Sequence, residues 1–115
     1  QALMAMGFRP VPLAGVDQKV VDIAIQRTLV ELGSREADVM LASNDGDFLP
    51  QLEPLVGGRR TGLVAFQEFK NTGFLALVQR GLEFFDLEYD VAAFNERLPR
   101  IRVIPIDEFD PADFL

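Results

Sequence analysis

The run Ala37-Asp38-Val39-Met40-Leu41-Ala42 is apolar and rich in strand formers, and it breaks at once into Ser43-Asn44-Asp45-Gly46-Asp47-Phe48. A short apolar stretch bounded by turn residues and followed by a helical pattern reads as a buried strand of an α/β sheet. It sets Asp45 and Asp47 just beyond the carboxyl end of that strand, the edge at which open α/β sheets bind ligands. Two carboxylates one residue apart are hard oxygen donors, suited to Mg²⁺ or Mn²⁺ rather than to softer metals. Each also has a plainer use. Asn-Asp-Gly is a turn signal, and Asp47 is a credible N-cap for a helix that begins near Phe48.

A third acid, Asp22, joins them by helical logic. Residues 17–32 carry Val20, Val21, Ala24, Ile25, Leu29 and Leu32 at the spacing of one helix face, with Asp17 as an N-cap and Gly33 as a stop. Asp22 falls in the first two turns, on the flank of that stripe. A helix that follows a parallel strand begins at the strand's carboxyl edge, so Asp22 is expected to be carried to the rim of Asp45 and Asp47. Taken alone, Asp22 is simply a favourable charge near a helix N-terminus, worth up to about 1 kcal/mol. Lys19, one turn earlier, is either a neutralising partner for Asp22 or a phosphate contact.

The remaining pattern supplies a scaffold. Residues 1–7 read as the last turns of a helix closed by Gly7. Residues 8–13 read as a strand interrupted by Pro10 and Pro12, hence at an edge. Helices are expected over 47–56, with Pro50 in the first turn, and over 71–80; strands are expected over 61–66 and 82–87. The segment 67–72 follows a strand end and borders the acidic rim. There Phe69 could stack on a base and Lys70 meet a phosphate, or the segment is a loop with one apolar anchor and a cap at Asn71 or Thr72. Arg59-Arg60, after Gly57-Gly58, reads as cations favouring a helix end.

The pairing of Gln18-Lys19-Val20-Val21-Asp22 with Asp38-Val39-Met40-Leu41-Ala42-Ser43-Asn44-Asp45-Gly46-Asp47-Phe48 resembles the NYN domain, a branch of the PIN-like nucleases, over residues 8–86. In that family a lysine and an aspartate open a helix, and a strand ending in Ser-x-Asp-x-Asp-Phe delivers further acids. The resemblance implies a Rossmann-like, PIN-like three-layer α/β/α domain with a mostly parallel sheet. It also implies an acidic pocket that holds Mg²⁺ or Mn²⁺ and hydrolyses the phosphodiesters of single-stranded or structured RNA. Asp22, Asp45 and Asp47 take the acidic positions, and Ser43 and Asn44 take polar positions at the pocket lip. Lys19, Phe69 and Lys70, read from their own placement rather than from the resemblance, are further candidate RNA contacts. The family normally opens with a strand ending in a first acidic ligand, in a pattern like Val-Asp-x-x-Asn. The residues given begin after it, so impaired activity and packing against a second copy, as a homo-oligomer, are expected.

Composition narrows the alternatives. The 115 residues suit one domain at 1–88 with an acidic tail at 89–115. With no cysteine and no histidine, disulfides, thiolate zinc sites, cysteine nucleophiles and histidine triads are excluded. No apolar stretch reaches the roughly 18 residues of a membrane span and no leader pattern is visible, so a cytoplasmic protein without a membrane segment is expected. The net charge of −7 is uneven: residues 1–82 hold eight basic and nine acidic side chains, residues 83–115 three and nine. The body therefore keeps enough cations for a local phosphate track but not for tight duplex binding. Within the tail, a helix over 91–98 and a strand over 101–106 are expected before an acidic and aromatic end suited to docking in a groove. Two other function classes stay open: a haloacid-dehalogenase-type phosphatase, which Asp45-Gly46-Asp47 mimics but Phe48 fits poorly, and a non-catalytic RNA- or protein-interaction module.

Overall fold

A computed structural model describes residues 1–16, 19–69, 71–96, 98–99 and 103–115. Its elements are helix α1 (Ala2–Ala5), helix α2 (Val20–Leu32), strand β1 (Val39–Ala42), helix α3 (Leu49–Leu52), strand β2 (Thr61–Ala65), helix α4 (Phe74–Gln79) and strand β3 (Glu83–Asp86). Short 3-10 turns cover Gly46–Phe48, Glu53–Leu55, Gln67–Phe69, Ile106–Glu108 and Pro111–Phe114. The strands form one all-parallel sheet in the order β1-β2-β3, Leu41 standing opposite Leu63 and Leu63 opposite Phe84. The fold is thus mixed α/β with a small parallel sheet. No helix among the described residues is long and apolar enough to cross a membrane.

Side-chain alternation decides where the core lies. Val39, Leu41, Leu63 and Phe84 share one sheet face and join Leu29 of α2, Leu52 of α3 and Phe74 and Leu77 of α4 in a single cluster. Leu52, Leu63 and Phe74 are wholly buried, and each such side chain contributes about 1.5–3 kcal/mol relative to remaining in water. The opposite face is more open: Met40 is 62% exposed, and its methyl group lies with the Phe85 ring over the bare backbone of Gly62. Among the described residues nothing pairs with the outer edge of β1.

Two connections fix the spacing of the layers. Gly81, with φ at +116°, closes α4 in a Schellman turn: its N–H donates to the Val78 carbonyl and that of Leu82 to the Leu77 carbonyl. This sends the buried Leu82 directly into β3. Arg59 reaches across to the far end of α2 and donates to the carbonyls of Leu32, Gly33, Arg35 and Ala37. The guanidinium thereby satisfies orphan carbonyls at the C-terminus of a helix remote in sequence, not the helix it follows. Arg60 forms a two-pronged ion pair with Glu83 instead, which raises the pKa of Arg60 and lowers that of Glu83, chiefly through the hydrogen bonds between them.

Several sequence expectations are corrected. Residues 8–13 form no strand: they are exposed coil, because Pro10 and Pro12 remove the ladder donors that an edge strand would need. The helix expected over 47–56 is a 3-10 turn, one α turn and another 3-10 turn, the second break falling at Glu53-Pro54. The helix over 91–98 is absent from its described residues. Asp90 and Val91 both donate backbone N–H to the Asp86 carbonyl, Ala92 sits at φ +53°, and Phe94 stacks on Phe66 with centroids 6.0 Å apart. These local turns and ring contacts outweigh an eight-residue helix too short to hold on its own. Of the strand expected at 101–106, residues 103–105 are coil and 106 enters a 3-10 turn; 101 and 102 lie outside the described residues.

The asymmetry of the sheet yields a stability contrast. Leu63→Ala, at the centre of the cluster, is expected to cost about 2–5 kcal/mol, whereas Met40→Lys on the open face is expected to cost under about 1 kcal/mol. Urea denaturation of the two variants measures both, and equal losses would contradict the one-sided core.

Candidate metal centre

The ladder between β1 and β2 carries the chain directly into the acidic turn. It continues one residue beyond β1, with the Ser43 N–H donating to the Val64 carbonyl at 3.2 Å. Ser43 Oγ then accepts the Asp45 N–H at 3.0 Å, and Asp45 Oδ1 accepts the Asp47 N–H at 2.8 Å. These side-chain acceptors fold residues 43–47 into a tight turn that needs no partner strand. Asp45, rather than Asp47, is consequently the residue that caps the following 3-10 turn. One oxygen of Asp45 is committed to this bond while the carboxylate retains its second.

Asp22 arrives on α2. The helix begins at Val20, so Asp22 lies in its first turn, half-buried, while Leu29 packs at the core end. One turn after Asp22, Gln26 Nε2 donates to the Asp47 carbonyl at 3.3 Å and ties the helix to the turn. Carboxylate oxygens of Asp22, Asp45 and Asp47 all come within 4.8 Å of one another. Oxygens so spaced could share one divalent ion, whose bonds to carboxylate oxygen run about 2.0–2.6 Å for Mg²⁺ and Ca²⁺. The convergence expected from the helix and strand patterns is therefore present in the fold.

The other sequence-named residues fall around this centre unequally. Lys19 precedes α2, exposed, one turn before Asp22. Asn44, next to Asp45, is partly buried, and its Oδ1 is buried with no hydrogen-bond partner. Phe69 ends the 3-10 turn Gln67–Phe69 after β2, on the same carboxyl side of the sheet. Lys70 lies outside the described residues, as do Asp17 and Gln18. Asn71 Oδ1 accepts the Gly73 N–H at 2.8 Å in a local turn before α4, whose N-cap is Gly73 rather than the expected Asn71 or Thr72, and the Asn71 amide also packs against Gly46.

Two contributors escape a sequence reading. Gln26 carries no motif; only its position one turn after Asp22 hints at the acidic turn. Asp86 is 5% exposed and receives backbone N–H bonds from Gln67 and Tyr89, so it ties the ends of β2 and β3 together and stands apart from the acidic centre. Comparison with known proteins yields no matching family model, no matching curated protein and no matching solved structure.

An ion that binds only the folded chain stabilises it by mass action. Mn²⁺ at about a hundred times its Kd is expected to add about 2.7 kcal/mol, which raises Tm by several degrees. Asp22→Asn, Asp45→Asn and Asp47→Asn should each lose most of that rise. Without metal each variant should melt no lower than the parent, because a crowded charge is removed and asparagine keeps the acceptor at position 45. Variants that retain the full Mn²⁺ response in differential scanning calorimetry would contradict the shared site.

Proposed function

We propose that this chain is a metal-dependent endoribonuclease domain of the NYN, PIN-like type. Its sheet and helices then belong to a Rossmann-like three-layer α/β/α architecture, and Asp22, Asp45 and Asp47 hold Mg²⁺ or Mn²⁺ against an RNA phosphodiester. The observation that carries this reading is the meeting of three carboxylates from α2 and the turn after β1, on the edge where parallel α/β sheets bind ligands.

The donor set fits a hard divalent cation. It is all oxygen, and nothing among the three side chains would favour zinc or copper. The orphaned Oδ1 of Asn44 adds a buried oxygen beside Asp45, and such an atom ordinarily finds a water or ligand. A bound divalent ion supplies charge neutralisation at phosphate and a water of lowered pKa. The chain's own residues do the arranging. Ser43 and Asp45 fold the turn through their backbone bonds, and Gln26 holds Asp47 to the helix that bears Asp22.

RNA contact is assigned to Lys19 at the head of α2, to Ser43 and Asn44 beside Asp45 and, from the sequence alone, to Phe69 and Lys70. The basic side chains of the body are dispersed, which favours single-stranded or locally structured RNA over long duplexes. Self-association as a homo-oligomer is supported by exposed apolar side chains along the amino-terminal segment, among them Leu3, Met6, Phe8 and Val11, and by the open edge of β1.

The test is cleavage of a labelled single-stranded RNA with Mn²⁺, beside hydrolysis of p-nitrophenyl phosphate. RNA cleavage that disappears in Asp45→Asn, with no phosphatase turnover, is the expected result. Turnover of p-nitrophenyl phosphate would support a phosphatase instead, and absence of both activities would support a non-catalytic module.

A further inference from the structure

A phosphodiester brought to this site meets a difficulty that the three acids do not resolve. Its non-bridging oxygens are acceptors, and the carboxylates of Asp22, Asp45 and Asp47 are acceptors too; a divalent ion would offset the charge at one oxygen, and a hydrogen-bond donor beside the acids would serve another. Asn71 is placed to be that donor. A Cβ on Gly46 would stand 2.8 Å from the Asn71 Cγ and closer still to Nδ2, so the amide occupies the space that any other residue at position 46 would fill. The backbone of Gly46 has no positive φ, so a side chain there would displace the neighbouring amide rather than strain the backbone.

The orientation of the amide is also fixed. Oδ1 of Asn71 accepts the Gly73 N–H at 2.8 Å, which turns the NH₂ end toward Gly46. Among the described residues Nδ2 donates to nothing, and the side chain is exposed. Because Gly46 separates Asp45 from Asp47, an oriented and unspent donor stands over the middle of the acidic turn. The close approach joins the segment after β2 to the turn after β1.

We infer that Asn71 is a substrate-binding residue whose NH₂ group donates to a non-bridging oxygen of the RNA phosphate, and that Gly46 exists to admit it. This rests on the reading of the acids as a divalent-cation site facing RNA.

The experiment measures two affinities separately: Mn²⁺ alone by calorimetric titration, and a fluorescein-labelled oligouridylate by anisotropy in Ca²⁺. Asn71→Ala should weaken RNA binding by about tenfold, the scale of one hydrogen bond to a charged group, and leave the Mn²⁺ affinity within about twofold. Gly46→Ala, which displaces the amide, should do the same, and the double variant should be no weaker than Asn71→Ala. Asn71→Asp keeps the acceptor for Gly73 but removes the donor, so it should bind RNA at least as poorly as Asn71→Ala. Parent-like RNA binding by Asn71→Asp would reduce Asn71 to a local cap and overturn the inference, as would parent-like binding by Asn71→Ala with Mn²⁺ affinity intact. A parent that takes up no Mn²⁺ would overturn the metal reading and, with it, the role given to Asn71.

Discussion

The docking of α2 against the turn after β1 is the constraint on which the rest of the molecule depends. Leu29 anchors the helix in the core, and the Gln26 amide reaches the Asp47 carbonyl one turn from Asp22. Rotating the helix by a single residue would swing Asp22 about 100° round its axis and out of reach of the other two acids. The hydrophobic stripe of α2 thus has two outcomes at once. It covers one face of the sheet, and it sets the third carboxylate at the carboxyl rim of the sheet beside the other two.

That rim is assembled with few long-range polar bonds. The turn from 43 to 47 is held by its own side chains, Ser43 on Asp45 and Asp45 on Asp47, so the two acids keep their relation to each other wherever the turn goes. Parallel pairing of β1 with β2 then decides where it goes. The arrangement separates local geometry, which short hydrogen bonds dictate, from global placement, which burial of Leu41, Leu63 and Leu29 dictates. Like-charged oxygens gathered in this way oppose folding mildly, and the apolar cluster behind them supplies the offset.

Much of this was legible in the sequence because the signals were strong and mutually consistent. The apolar run before Ser43 reads as a buried strand, and it is buried on one face; the stripe from Val20 to Leu32 reads as a helix, and it covers that face. Their combination carried Asp22 to Asp45 and Asp47. Legibility failed where short segments had competing options. Residues 91–98 have adequate helix formers, yet Asp86 and the ring of Phe66 capture their backbone and Phe94. Residues 8–13 read as an edge strand interrupted by Pro10 and Pro12, yet the two prolines forbid the ladder altogether. The capping role passed from Asp47 to Asp45 because the first turn proved to be 3-10, which shifts the cap by two residues. Gln26 was hidden for another reason: an amide that bonds across the fold leaves no periodic or local trace.

The central claim is spatial, and diffraction tests it most directly. In crystals grown with Mn²⁺, an anomalous peak is predicted among the side chains of residues 22, 45 and 47, with carboxylate oxygens about 2.1–2.2 Å away, as hard divalent sites require. A peak elsewhere on the chain, or an electron-density map in which the Asp22 carboxylate points away from the turn, would contradict the account.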